Sequence, residues 1–167
     1  MLDPMARQVV WRAINNILPT RERQSRLGLR DLDNRQVIST LCNRCDLRAV
    51  DSVTHMFSEC GLVREAWTWI RRRLLSMLPD DMNDLANEEL LLMFFPKERQ
   101  ENAMVWVVGT YMSWAYEEGV IKGRVLTDLH VRGYMRYMFY QSLSTKMPEV
   151  GYIREITVFE NQVFDNG

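Results

Sequence analysis

Cys42-Asn43-Arg44-Cys45, a gap of nine residues, then His55-Met56-Phe57-Ser58-Glu59-Cys60: this stretch brings three thiols and one imidazole into a short segment. All three cysteines of the chain lie in it, and one of its two histidines. Three sulfurs and one nitrogen can close a tetrahedral shell around one zinc ion (Zn2+), and four protein ligands leave no position for water or substrate. The expected metal ligands are Cys42, Cys45, His55 and Cys60, and the expected site is structural. Asn43 and Arg44 would turn the backbone of a short knuckle so that Cys42 and Cys45 face one point. His55 and Cys60 are five positions apart, and an undistorted helix, at about 100° per residue, would send them to different faces. A helix carrying His55 should therefore end or kink near Glu59, with Gly61 as its breaker.

The same residues have other readings. The thiols could be inert buried side chains, or Cys42 and Cys45 a redox pair. A redox pair, however, needs neither a third cysteine nor a histidine at short range. A disulfide scaffold fits less well, because the cysteine count is odd and no signal peptide is evident.

At 167 residues the chain is long enough for one domain or two small lobes with a real core. Its apolar runs, at 90–95 and 103–109, are far shorter than the ~20 residues a membrane span needs. No membrane partner is expected, and an intracellular location, nuclear or cytoplasmic, is the default. The net charge of −1 hides an asymmetry. Residues 1–78 hold 13 arginines, no lysine and 8 acids, whereas residues 79–167 hold 8 basic and 14 acidic side chains. The planar guanidinium fork suits phosphate better than a lysine ammonium does. Arginines that merely solvate helix faces are the plainer alternative.

Outward from the knuckle the chain reads as helices. Asp3 and Pro4 open one that carries Val9, Val10, Ala13, Ile14 and Ile17, with Trp11 beside them, and Pro19 stops it. Thr20 caps a second, short helix that Gly28 ends. Residues 31–41 look like a loop, and Asp51 or Ser52 should cap the helix bearing His55. Val63, Ala66, Trp67, Ile70, Leu74 and Leu78 mark an amphipathic helix ending before Pro79. Acids and amides over 79–87 make the best internal boundary. A short helix over 88–95 and a long one over 97–118 follow, the latter apolar around much of its girth and so central. Gly119 and Gly123 should break it before another helix over 125–143. Its Tyr134, Met135, Tyr137, Met138, Phe139 and Tyr140 could stack bases, but at helical spacing in an acidic half they read better as core. Residues 150–164 fit a strand or a docked helix.

Nothing in the chain has the pattern of a catalytic centre. It has no phosphate-cradling glycine loop and no G-x-S-x-G motif. The remaining histidine, His130, lies two residues from Asp128 on a helix, where the two would not face each other.

The order of these features resembles a known family. W-R-A-I-N-N-I-L-P-T-R-E-R-Q-S-R-L-G at 11–28, then C-N-R-C and H-M-F-S-E-C-G-L-V-R-E-A-W, is similar to the zinc-binding domain that follows the reverse transcriptase of non-LTR (LINE-type) retrotransposons. The resemblance covers about residues 5–78 and gives the family's roles to Trp11, Leu18-Pro19-Thr20, Cys42, Cys45, His55, Cys60 and Trp67. It implies a module that engages RNA or DNA, without the polymerase or endonuclease that would make it an enzyme. The expectation is a mainly α protein: a small CCHC zinc-binding helical lobe (1–78), an acidic linker (79–89) and a helical C-terminal lobe (90–167). Arg21, Arg23, Arg26, Arg30, Arg44, Arg48, Arg71, Arg72 and Arg73 are the candidates for phosphate contact. The alternative is a zinc-stabilised protein-interaction module, a host-derived remnant that docks a partner or a second copy through the aromatic and methionine-rich C-terminal helices.

Overall fold

Short polar side chains start the first two helices as their chemistry predicts. The Asp3 carboxylate accepts from the amides of Met5 and Ala6, at 2.8 and 3.0 Å, opening helix α1 (Pro4–Ile14). The Thr20 hydroxyl accepts from the Arg23 amide at 3.2 Å and opens α2 (Arg21–Arg26). The computed structural model describes residues 2–78, 84–92 and 103–144. Four more helices lie among them: α3 (Arg64–Ser76), α4 (Asn87–Leu92), α5 (Ala103–Ala115) and α6 (Asp128–Ser144). Two wider, π-helical turns are added at His55–Glu59 and Tyr116–Ile121. The fold is mainly α. Among the described residues, extended pairing is limited to two isolated antiparallel bridges, Arg30 with Val37 and Leu41 with Val50. The expected helix over 88–95 is described only as far as Leu92, that over 97–118 only from Ala103, and the expected segment at 150–164 lies outside the described residues.

Two helix ends differ from the expectation. Helix α1 stops at Ile14 rather than running to Ile17, because Asn16 takes a left-handed conformation (φ 51°). This lets the Ile17 amide reach back to the Arg12 carbonyl at 2.7 Å. At the other helix Gly119 does not act as a breaker. It sits buried inside the Tyr116–Ile121 turn, where an added Cβ would lie 3.0 Å from a Val63 methyl. The true stop is Gly123 (φ 65°), after which the Arg124 amide bonds the Glu118 carbonyl at 2.9 Å.

The larger of two hydrophobic clusters among the described residues draws on most of the helices, the smaller holding Leu2, Ala6 and Val105. The larger takes Val9, Val10 and Ala13 from α1, Met56 and Phe57 from the first π-turn, and Ala66, Trp67, Ile70 and Leu74 from α3. Val107, Val108, Tyr111 and Met112 of α5 and Val131, Met135 and Phe139 of α6 complete it. Full burial of one such side chain contributes about 1.5–3 kcal/mol. Among the described residues, helices from both sides of residues 79–89 thus contribute to this core. As expected, α5 is central: from Val107 to Ala115 every residue is buried, and it packs against α1, α3 and α6. The α3 face predicted from its spacing is the face that is buried. Trp67 meets Tyr111 at 5.5 Å between rings and donates its indole N–H to Asn87 Oδ1 at 2.9 Å, tying α4 to α3. On α6, Met135 and Phe139 are core and Tyr134 stacks on Trp114 at 5.2 Å, while Tyr137 and Tyr140 are exposed. No helix among the described residues is long and apolar enough to cross a membrane.

Candidate metal centre

The knuckle is closed by backbone pairing on either side of it. Leu41 and Val50 bridge, the Cys42 amide donates to the Ala49 carbonyl at 2.9 Å, and the Asp51 amide donates to the Thr40 carbonyl at 2.9 Å. Inside this loop the Arg44 amide points at Cys42 Sγ from 3.4 Å. Ser52 rather than Asp51 caps the helical segment that follows, its hydroxyl accepting from the His55 amide at 3.1 Å. Asp51 has a different task. Its carboxylate is fully buried, accepts the Arg21 amide at 2.9 Å and pairs with the Arg44 guanidinium. One side chain therefore clamps the knuckle to the start of α2.

The π-turn resolves the spacing of His55 and Cys60. Its ring closes between the Cys60 amide and the His55 carbonyl (2.8 Å), one residue wider than an α-turn, so position 60 comes round almost above position 55. The backbone then turns out of the helix at Cys60 (ψ 135°). Widening and termination together do what the sequence required of a kink near Glu59.

Cys42, Cys45, His55 and Cys60 are brought together by this local structure. One ligand atom from each lies within 4.8 Å of the other three, and Cys45 Sγ is 3.5 Å from His55 Nε2. Cys42, His55 and Cys60 are buried and Cys45 is half-buried. Burial pushes the Cys45 thiol up, but the amides of Gly61 and Leu47 and the two other thiols more than offset it, leaving Cys45 easier to ionise than a free cysteine. Cys60 is pushed up to about 12, first by burial and then by the other two sulfurs, despite the Leu62 amide. Three sulfurs this close cannot all carry charge without a cation among them. Burial likewise lowers the His55 pKa, against the pull of Asp51 and Glu59, which favours the neutral ring that metal ligation requires. His55 Nδ1 is buried without a hydrogen-bond partner, and the nearest carboxylate oxygen, on Glu59, is 3.9 Å away. A metal-bound imidazole usually turns its second nitrogen to such a group.

The arginines do not form one face. Arg71, Arg72 and Arg73 are consecutive on α3, so their side chains leave the helix about 100° apart. Arg71 bonds Asn87 at 3.1 Å, Arg72 is exposed, and Arg73 is buried at 4 % exposure. Arg73 is therefore withdrawn from the solvent-facing set, as is most of Arg44, which is spent on Asp51. Arg21 bonds the Ser39 carbonyl and Arg23 the Ile17 carbonyl. Arg26, exposed, pairs with Glu22, and Arg30 bonds the Arg35 carbonyl. Arg48 is exposed, at the left-handed turn that closes the knuckle loop (φ 48°). Arg64 is not among the arginines expected from the sequence. It lines an open cleft of about 630 Å³ with Glu59, Trp67, Thr68, Arg71 and Asn87, and its place on the solvent side of the α3 pattern could have marked it.

Fold and site together define a mainly helical protein built around a compact cluster of three cysteines and one histidine with the donor chemistry of a metal centre. Comparison with protein-family models, with curated proteins and with solved structures found no match for this chain.

Proposed function

We propose that this chain is a non-catalytic, zinc-stabilised module of the kind found in non-LTR retrotransposon proteins, and that it binds RNA or DNA through arginine contacts to phosphate. The ligand cluster carries the reading. With Zn–S near 2.3 Å and Zn–N near 2.05 Å, a tetrahedral sulfur–nitrogen edge is roughly 3.6 Å. The Cys45–His55 separation of 3.5 Å agrees. A sulfur–sulfur edge is roughly 3.8 Å, so no pair within the 4.8 Å cluster need close by more than about an ångström. Four protein donors leave no open coordination position, which favours a scaffold over a catalyst.

The nucleic-acid part rests on the basic first half and on the order of motifs at 11–67. Arg26, Arg30, Arg48 and Arg72 are exposed members of the arginine set, and Arg64 joins them. The deciding experiment is a titration of the zinc-loaded protein with single-stranded RNA and duplex DNA over a range of salt. Affinity should fall steeply as salt rises, and an absence of binding at low salt would remove the reading.

A second reading has its own observation. Leu129, Tyr137 and Tyr140 on α6 are 74, 59 and 53 % exposed, as a docking face for a protein partner would be. Sedimentation of the pure protein as a monomer at all concentrations would exclude a second copy as that partner.

A further inference from the structure

Four buried side-chain nitrogens lack a hydrogen-bond partner among the described residues: His55 Nδ1, Trp69 Nε1, Arg73 Nε and Arg132 Nε. The first belongs to the metal centre. The other three meet elsewhere, at the seam where α3 packs on α6. The guanidinium carbons of Arg73 and Arg132 lie 5.4 and 5.9 Å from the centre of the Trp69 indole. Trp69 and Arg73 are 3 and 4 % exposed, while the Arg132 side chain, at 43 %, is where the cluster meets solvent.

Two cations and an indole N–H crowd this place, and among the described residues none of Trp69 Nε1, Arg73 Nε and Arg132 Nε has an acceptor. Among the described residues, Asp128 and Glu65 leave these three nitrogens unmet. Asp128 takes the outer nitrogen of Arg132 at 3.1 Å, and Glu65 accepts the Asp128 amide at 3.3 Å. Stacking on the indole offsets part of the burial of Arg73, but it satisfies no N–H. A buried donor left unmade is costly, and a buried charge without a counter-ion more so. Arg73 is harder to keep charged than a free arginine, first through burial and then through Arg132 and Arg72. Two guanidinium groups against one indole, each of the three side chains with an N–H unmet and only the outer nitrogen of Arg132 taken by a carboxylate, suit an oxygen-bearing anion.

We propose that this seam binds one oxyanion of the phosphate class, held by the Trp69 indole N–H and the Nε–H groups of Arg73 and Arg132. The site is separate from the metal centre and does not rest on the nucleic-acid reading. The anion is either free phosphate or one phosphodiester of a bound strand.

The test uses the full, metal-loaded chain with sodium phosphate replacing sodium chloride at constant ionic strength. Thermal unfolding should shift upward by roughly 3–6 °C at ten times the dissociation constant. Arg132→Gln, a change at the solvent-facing end of the seam, should weaken phosphate binding at least tenfold with little change of Tm in chloride. Arg73→Met should abolish the phosphate response without lowering Tm in chloride. Equal Tm values in phosphate and chloride overturn the proposal, as does a phosphate response that Arg132→Gln leaves intact. Competition with a labelled oligonucleotide separates the sources. If phosphate displaces it from the wild type but not from Arg132→Gln, the anion is a phosphodiester; if phosphate binds without displacing it, the anion is free phosphate.

Discussion

The hydroxyl of Tyr111, in the middle of α5, donates to the backbone carbonyl of Phe57 at 2.6 Å, and both residues are fully buried. Phe57 lies in the π-turn between His55 and Cys60. A helix from the second half of the chain therefore holds the turn that presents two of the four candidate ligands. Tyr111→Phe removes this bond and leaves a buried carbonyl short of a donor, which should cost about 1–3 kcal/mol. Urea unfolding should show the loss as a lower midpoint with an unchanged slope. Metal affinity should fall with it, because the turn is less well held.

The same tyrosine and Tyr134 govern behaviour in alkali. Burial, helped by the charge of Cys60, raises the Tyr111 pKa well above the ordinary value. Burial, with Asp3, Glu117, Glu118 and Tyr137 adding to it, pushes Tyr134 up to about 12. In the unfolded chain both ionise near pH 10, as about expected for free tyrosine. Folding thus resists their ionisation. The stability they contribute is whole below pH 10 and is lost as pH rises from there toward 12. Absorbance titration at the phenolate band should show Tyr111 and Tyr134 ionising late, together with unfolding. Six tyrosines titrating as one group while the helical signal persists would contradict this.

Much of this was legible in the sequence, and what was not has a definite cause. The caps at Asp3 and Thr20, the buried face of α3 and the ligand quartet follow from side-chain chemistry and spacing within a few residues of one another. The π-turn does not. Its wider hydrogen bond is fixed by the joint need of His55 and Cys60 to face one point and by Tyr111, 54 positions from Phe57. The fate of Arg73 was hidden for the same reason: only the approach of α6 turns that side of α3, which carries Trp69 and Arg73, into an interior. Of the two expected caps, Asp51 and Ser52, it is Ser52 that caps the segment, and nothing near Asp51 in sequence marks its other task. Its partners Arg21 and Arg44 are brought to it by the fold.

Metal removal should act on the first half most strongly. Purified protein should hold about one zinc per chain, and a chelator should unfold residues 40–60 at least, since structural zinc supplies folding free energy directly. Cys60→Ser should do the same without chelator. Glu59→Gln should keep the fold and change zinc affinity little, because Glu59 stands 3.9 Å from His55 Nδ1 and makes no hydrogen bond to it. Competition with a chromophoric chelator measures both. A metal-free protein with full helicity and native thermal stability would refute the zinc assignment.

Asp51→Ala tests the clamp. It strips the Arg44 guanidinium and the Arg21 amide of their common acceptor. Breaking a buried pair from one side costs about 3–5 kcal/mol. The lower end applies, since the Arg44 side chain keeps 16 % of its exposure and can recover some hydration. Tm should drop by roughly 6–12 °C for a chain of this size. Asp51→Asn should lose less, because an amide oxygen can still accept one of the two bonds.

The uneven exposure of the arginines makes the nucleic-acid reading specific. Each guanidinium that neutralises a phosphate adds about 0.7 to 0.9 to the slope of log affinity against log salt. Arg72→Ala and Arg48→Ala should each remove about that much, with little effect on stability, because both side chains are exposed and hold no partner among the described residues. Arg64→Ala should behave like them, since Arg64 stands beside Arg71 in the open cleft. Arg44→Ala should lower stability more than it lowers the slope, because its charge is already balanced by Asp51. Fluorescence anisotropy at four or five salt concentrations resolves these slopes. If Arg48→Ala, Arg64→Ala and Arg72→Ala all leave the slope at its wild-type value while binding persists, the strand is held elsewhere and the arginine assignment fails.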